Sequence, residues 1–248
     1  MVNKIEKLIN LIHDKYYRNV LLKEHVAAGS EHEQVLDNLQ SSTISTIVDI
    51  GANRGQFALV SRHHFPDSKI FSFEPLKKPA EVFRHVFAQD KLTKIYEYAI
   101  GPDETESIIH VSKEDDASSL LLISDLQNEL YPGTAEKEIR SIIQKPLDAI
   151  LTAAEIQTPA LLKIDVQGFE KQVLEGCKSL LQLFSYIYIE CSFLELYKGQ
   201  ALAHQIIRWL DQRSFVLSGI HNLDYDKNGK TVQGDFLFVH TENRNYAN

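Results

Sequence analysis

The chain of 248 residues carries 34 acidic against 26 basic side chains, a formal net charge of −8, with 44% hydrophobic and 24% charged residues. That length suffices for one large α/β domain with a covered core, and the acidic balance, without any run of Lys and Arg, speaks against a nucleic-acid partner. Cys177 and Cys191 lack metal-ligand spacing and read as free thiols, residues 1–7 are too charged for a signal peptide, and no apolar run reaches the roughly 20 residues of a membrane span, so a soluble, cytoplasmic protein without a membrane partner is expected.

Residues 3–28 place Ile5, Leu8, Ile9, Ile12 and Tyr16 at helical spacing, and a second helical stretch over 31–39 follows Gly29 and Ser30. Residues 1–43 therefore read as a helical cap, joined at Ser41, Ser42 and Thr43 to a main domain over 44–248. The cap either only packs on that domain or covers a substrate pocket.

The first strand is predicted at 46–50, where an apolar run holds Asp49 and ends at Gly51. A helix over 55–64 follows, with His63 and His64 read as solvent-facing. Strand 70–74 is stopped by Pro75, helix 78–89 presents Val82, Phe83, Val86 and Phe87 on one face, and 94–100 alternates as a third strand. Short strands at 107–111 and 138–143 flank an irregular excursion that reads as a lid. Helix 147–155, strand 160–165, helix 169–182, strand 185–190 and helix 201–213 continue the alternation, with Tyr186, Tyr188 and Phe193 read as core. Two strands, 215–220 and 234–240, close the chain around a hairpin at Asn228-Gly229. Strand–helix alternation closed by a hairpin predicts a doubly wound α/β sheet, mostly parallel with one antiparallel strand.

Four predicted strands end in an acid: Asp49, Glu74, Asp165 and Glu190. Ligands of open α/β sheets lie beyond the carboxyl ends of the strands, and acids gathered there favour a cation, a set of hydroxyls or a metal ion. The glycine turn is not a dinucleotide fingerprint, because Asn53 and Gln56 stand where a pyrophosphate needs glycine. S-adenosylmethionine suits the same features better. It carries no phosphate, its ribose hydroxyls match Glu74, and the turn can seat its methionine part.

Val48-Asp49-Ile50-Gly51-Ala52-Asn53-Arg54-Gly55, Phe73-Glu74-Pro75, Leu162-Lys163-Ile164-Asp165-Val166-Gln167-Gly168-Phe169-Glu170 and Val173-Leu174-Glu175-Gly176 resemble, in order and spacing, the FkbM family of S-adenosylmethionine-dependent methyltransferases. Ser118-Ser119-Leu120 and Gly234-Asp235-Phe236-Leu237-Phe238-Val239 extend the match over about 44–240. Gln167 departs from it, since many members carry Glu there. The resemblance implies a seven-stranded Rossmann-like methyltransferase sheet with the seventh strand antiparallel. It also implies O-methylation of a small-molecule hydroxyl acceptor, typically a sugar or natural product. Asp49, Gly51, Asn53 and Gly55 would line the methionine part of the cofactor, Glu74 the ribose, and Ala99 and Ile100 the adenine. A noncatalytic binding domain on the same fold and an NAD-dependent oxidoreductase are the alternatives.

An acceptor hydroxyl must lose its proton during transfer, so a base or a metal is needed. Asp165 is the first candidate, as base, metal ligand or hydrogen-bond acceptor for the hydroxyl; Glu190, on the adjacent strand end, is the second, and the two acids could share a divalent ion, although no metal site is assigned. His221 is a candidate general base at neutral pH. Lys163 faces the same side of its strand as Asp165. Asp224, Asp226, Asn228 and Asp235 fit part of a calcium loop, but Asn-Gly between alternating apolar runs favours a hairpin turn.

Overall fold

The computed structural model describes residues 14–39, 43–113 and 117–242. The first part of the expected N-terminal helix, Ser41 and Ser42 of the linker, and Asp115 and Asp116 of the excursion lie outside them. Within them, the chain runs α1 (Lys15–Glu24), α2 (Glu33–Leu39), β1 (Thr46–Ile50), α3 (Gln56–His64), β2 (Lys69–Phe73), α4 (Lys77–Val86), β3 (Thr93–Tyr96), β4 (Ala99–Ile100) and β5 (Thr105–Ser112). It continues through α5 (Asp125–Leu130), β6 (Glu136–Lys145), β7 (Ala160–Ile164), α6 (Glu170–Gly176), β8 (Tyr186–Ser192), α7 (Ala203–Asp211), β9 (Phe215–Tyr225) and β10 (Thr231–His240).

Seven strands form one sheet in the order β3-β2-β1-β7-β8-β10-β9. Strands β1, β2, β3, β7 and β8 pair in parallel, and β10 runs antiparallel to both β8 and β9. The expected doubly wound sheet with one antiparallel strand is therefore present. Strands β1 and β7 are buried along their whole length, as central parallel strands covered on both faces must be. The order reverses between β1 and β7, and this is the edge where an open α/β sheet leaves a crevice.

Local periodicity misses three features. The expected third strand is cut in two: β3 stays in the main sheet, whereas Ala99 and Ile100 pair with Gln144 and Lys145 in a second sheet of order β4-β6-β5. The expected short strands at 107–111 and 138–143 are β5 and β6, which pair antiparallel in that second sheet, and the excursion between them carries α5. The expected helix over 147–155 is two 3₁₀ turns, Leu147–Ala149 and Ala153–Glu155, the second held by a Thr152–Glu155 capping box. The expected helix over 169–182 stops at Gly176, where a Cβ would come 2.3 Å from the Gly101 carbonyl oxygen.

The N-terminal elements share a core with the sheet. Tyr17, Val26, Leu36 and Leu39 are buried together with Ile47 of β1, Phe57 of α3 and Tyr186 of β8. His63 and His64 help to dock them and do not simply face solvent. The His63 ring stacks on Tyr16 at 5.2 Å, and His64 Nδ1 lies 3.3 Å from Asp37. Tyr186 and Tyr188 are buried as expected, while Phe193 is 39% exposed. The Asp226–Lys230 turn joins β9 to β10, its Asp226 side chain accepting from the Asn228 and Lys230 N–H groups. Asp224 accepts from the Tyr131 hydroxyl and Asp235 from Tyr188, so the acids of the calcium pattern are spent on separate partners. Among the described residues no helix is long and apolar enough to cross a membrane.

Candidate active site

A cavity of about 240 Å³ opens at the carboxyl ends of β1, β2 and β7. Gly51, Ala52 and Asn53 line it from the β1 turn, Glu74, Pro75 and Leu76 from the end of β2, and Ala99 and Ile100 from the second sheet. Lys163, Asp165, Val166 and Gln167 close the β7 side, Ser118 and Leu120 come from the excursion, and Glu31 and His32 reach it from the N-terminal segment.

The turn after β1 is shaped by Gly51, whose φ of 83° suits glycine and whose α-carbon packs against the Asp165 carbonyl. Its N–H and that of Ala52 both donate to the Phe73 carbonyl, each at 3.0 Å. Two other N–H groups of the turn are taken by side chains. Glu74 Oε2 accepts from Asn53 at 3.0 Å, and Gln56 Oε1 accepts from Arg54 at 3.1 Å. A pyrophosphate would find these donors occupied, one of them by a carboxylate that repels it. Glu74 Oε1 accepts from the Leu76 N–H at 2.8 Å, which leaves each carboxylate oxygen a further lone pair. Burial pushes the Glu74 carboxyl up to about 7, against the pull of the Leu76 and Asn53 N–H groups.

Two of the glycine-turn residues lie behind the cavity. Asp49 is fully buried and absent from the lining, with Lys163 Nζ 3.6 Å from its Oδ1. Gly55 is also absent; a Cβ on it would meet the Phe83 and Phe87 rings at 3.0 and 2.8 Å. The resemblance implies that both line the cofactor's methionine part; in the structure Asp49 lies beneath the cavity floor, and Gly55 lets α3 close onto α4.

On the β7 side, Lys163 Nζ stands 3.5 Å from Asp165 Oδ2 and 3.6 Å from Asp49 Oδ1, over the Phe57 ring. Burial pulls the ammonium's pKa down, but the carboxylates of Asp165, Asp49, Asp235 and Glu190 together outweigh it and hold the group above its ordinary value. Gln167, in a left-handed turn with φ 56°, donates from one Nε2 to Asp165 Oδ1 at 2.9 Å and to Glu190 Oε2 at 3.0 Å. Its Oε1 accepts from the Tyr197 hydroxyl at 2.7 Å. The space between Asp165 and Glu190 is thus bridged by a carboxamide, which supplies donors where a shared cation would need ligands. Among the described residues no group of three His, Cys, Asp or Glu side chains is arranged to hold a metal ion.

Glu190 does not line the cavity, and its other oxygen accepts from Gln233 at 3.1 Å. Burial, reinforced by Asp165 and Asp235, holds its carboxyl well above the usual range. His221 is likewise outside the lining, on β9 opposite Asp235, its pKa lowered chiefly by burial. Of the three candidates for the chemical step, only Asp165 faces the cavity.

Sequence patterns did not single out Glu31, His32 or Asn222, and they marked Tyr188 only as core and Asp235 only within the calcium pattern and the closing motif. Gln167 carried a signal as the departure within an otherwise continuous motif.

The family described as Methyltransferase FkbM domain matches residues 49–217. The chain is similar to 2-O-methyltransferase NoeI of Sinorhizobium fredii, 29% identical over 217 residues that cover 85% of each chain. It is also similar to Methyltransferase 1 of Beauveria bassiana, 24% identical over 144 residues, 53% of this chain and 58% of that one. A solved structure of a candidate O-methyltransferase from Klebsiella pneumoniae shares the fold with a TM-score of 0.50 at 15% identity, covering 95% of this chain and 94% of that one.

Proposed function

The chain belongs to the FkbM methyltransferase family, and from that premise we propose that it transfers a methyl group from S-adenosylmethionine to a hydroxyl of a small acceptor, a sugar or a natural product. The carrying observation is Glu74, a buried carboxylate aimed into the cavity with lone pairs to spare beside a turn whose donors are already used. A pair of ribose hydroxyls can donate to those lone pairs, and a phosphate, which only accepts, cannot. The 2-O-methyltransferase relative supports a hydroxyl as the methyl acceptor. Two buried free thiols, Cys177 and Cys191, accord with a cytoplasmic setting.

S-adenosylmethionine supplies an electrophilic methyl on a sulfonium. The protein's part is to bind, orient and manage charge. Glu74 would hold the ribose, Leu76, Ala99 and Ile100 would wall the adenine, and the Gly51 turn would seat the methionine part. There Asn53 Oδ1, buried without a hydrogen-bond partner, offers an acceptor. Asp165 would receive the acceptor hydroxyl; Lys163 and Gln167 fix its two oxygens, so the bound hydroxyl meets one geometry. Positioning of this kind accounts for much of the rate of an in-line displacement.

Binding to Glu74 carries a pH signature. The carboxyl titrates at about 7, and only its ionised form accepts from both ribose hydroxyls. Cofactor affinity is therefore expected to fall as pH drops below about 7, with protons released on binding in that range. Calorimetry in two buffers of different ionisation enthalpy measures the release. Glu74→Gln should bind about 10–100-fold more weakly with no such pH dependence, the loss of hydrogen bonds to a charged group. Affinity that is flat with pH in the unmutated protein would remove Glu74 from the ribose.

Turnover tests the rest. Purified protein is offered S-adenosylmethionine and a panel of methyl glycosides and alcohol-bearing natural products, and S-adenosylhomocysteine release is followed. Asp165→Asn should retain cofactor affinity within about threefold and lose about 100-fold or more in kcat, the size of effect expected when a reacting group loses its orientation. Binding of NAD in place of S-adenosylmethionine, or full turnover by Asp165→Asn, would contradict the proposal.

A further inference from the structure

One wall of the cavity comes from outside the matched region. The Gly29 N–H donates to the Gln56 carbonyl at 3.0 Å, which sets the following 3₁₀ turn over the start of α3 and brings Glu31 and His32 to the cavity. The His32 ring packs edge-on to Phe57 and Tyr188, centroids 5.3 and 5.5 Å away. Its Nδ1 lies 3.0 Å from the Tyr188 hydroxyl and 3.6 Å from Asp235 Oδ2.

The hydrogen-bond inventory decides which ring nitrogen carries the proton. Tyr188 has one hydroxyl proton and donates it to Asp235 Oδ2 at 2.9 Å, the stronger acceptor because it is charged. Burial and the Asp235 charge hold that phenol well above its ordinary pKa, so it keeps the proton. Asn222 Nδ2 donates to the same Oδ2 at 2.8 Å and approaches the Tyr188 oxygen at 3.3 Å. The hydroxyl oxygen can then meet His32 only as an acceptor, and Nδ1 must be the protonated nitrogen. In the neutral ring Nε2 then carries the free lone pair, 4.0 Å from Glu31 Oε1.

Resting on the hydroxyl-methylation reading above, we propose that His32 is the general base of the reaction, with Tyr188 and Asp235 as its positioning residues. The acceptor oxygen forms its bond to the methyl carbon as the carbon–sulfur bond breaks, with that electron pair going to sulfur. The hydroxyl proton passes to His32 Nε2. The products are a methyl ether, a neutral thioether and an imidazolium, and the last sits between the carboxylates of Asp235 and Glu31. The other charged or titratable groups close to this ring are His221, beyond Tyr188, and Asp49 beneath the floor.

The three acids and bases nearest in kind are otherwise engaged. Lys163 and Gln167 hold the Asp165 oxygens in the orienting role given above, Gln167 and Gln233 take those of Glu190, which is off the cavity, and His221 stands off the cavity as well. His32 and Asp235 both lie outside the family match at 49–217, one on either side of it.

Imidazole nitrogen NMR on histidine-labelled protein reads the tautomer without any acceptor, with His32→Gln assigning the resonance. Nε2 unprotonated at pH 7.5, and scrambling of that tautomer in Tyr188→Phe and Asp235→Asn, are the expected results; an Nε2–H tautomer in the unmutated protein overturns the proposal. With the acceptor panel, His32→Gln should keep S-adenosylmethionine affinity within about threefold and lose about 100-fold or more in kcat, the usual worth of a general base. Asp235→Asn should shift the acid limb of the kcat–pH profile, which a merely structural change would leave in place. Full turnover by a folded His32→Gln overturns His32 alone. An unmutated protein that binds no S-adenosylmethionine, or methylates no acceptor in the panel, overturns the hydroxyl-methylation reading and this proposal with it.

Discussion

Lys163→Met is expected to destabilise the folded protein by about 3–5 kcal/mol at pH 8, the cost of leaving a buried charge without its partner. Asp49 is the reason. Its side chain is 0% exposed in the middle of β1, neither oxygen has a hydrogen bond, and the Lys163 ammonium at 3.6 Å is its counter-charge. Burial already raises the Asp49 pKa, and Lys163 is the largest force opposing that rise. Without the ammonium the carboxyl would rise further and fold in its neutral form. A carboxyl whose folded pKa is raised keeps its full stability below the unfolded value, near 4, and loses it as pH climbs through the folded value. The deficit should thus be small at pH 5 and large at pH 8. Urea titrations at the two pH values measure it, and melting should drop by about 6–20 °C at the higher one. Asp49→Asn combined with Lys163→Met should recover most of the loss, since an uncharged pair leaves no ion to desolvate. A deficit below about 1 kcal/mol, or one equal at both pH values, would show that Asp49 does not depend on this ammonium.

That ion pair also marks what could be read from the chain before its structure. Asp49, Glu74, Asp165 and Glu190 were visible as acids at the ends of apolar runs, because a strand of a parallel sheet is locally encoded. What distinguishes them is not local. Whether an acid at a strand end is solvated, buried or capped depends on its neighbours across the sheet. Lys163 lies beside Asp49 through the β1–β7 register, and Gln233 meets Glu190 through the antiparallel β10. For the same reason Ala99 and Ile100 read as a continuation of β3: their pairing with Gln144 and Lys145 spans 45 residues of chain, shown by the Ala99–Gln144 and Ile100–Lys145 partners. The family resemblance alone implied a place for them near the ligand, and both line the cavity. His32 had no signal at all. A single histidine in a polar stretch acquires meaning only when Tyr188 and Asp235, more than 150 residues away in sequence, come within about 4 Å of it.

The tightest backbone contact of the site sets the last expectation. Gly51→Ala should cost about 3–4 kcal/mol and abolish cofactor binding. A left-handed φ of 83° costs an L residue about 1 kcal/mol. The remainder is overlap, because the new Cβ would fall 1.8 Å from the Asp165 carbonyl oxygen and 2.8 Å from its carbon. Neither atom can swing away as a side chain would. Asp165 is tied to β1 by its N–H, which donates to the Ile50 carbonyl at 3.0 Å, and Gly51 is tied to β2 through Phe73 at 3.0 Å. Relief must therefore part β1 from β7 at the edge that carries both the turn and Asp165. Gly229→Ala isolates the two causes: at φ 80° it bears the same backbone strain, but nothing lies within 4 Å of its Cβ. It should lose only about 1 kcal/mol and bind S-adenosylmethionine normally. Equal losses for the two variants would mean that β7 yields freely at Asp165. The turn would then be a flexible loop, and the fixed geometry assigned to Asp165 would have no support beneath it.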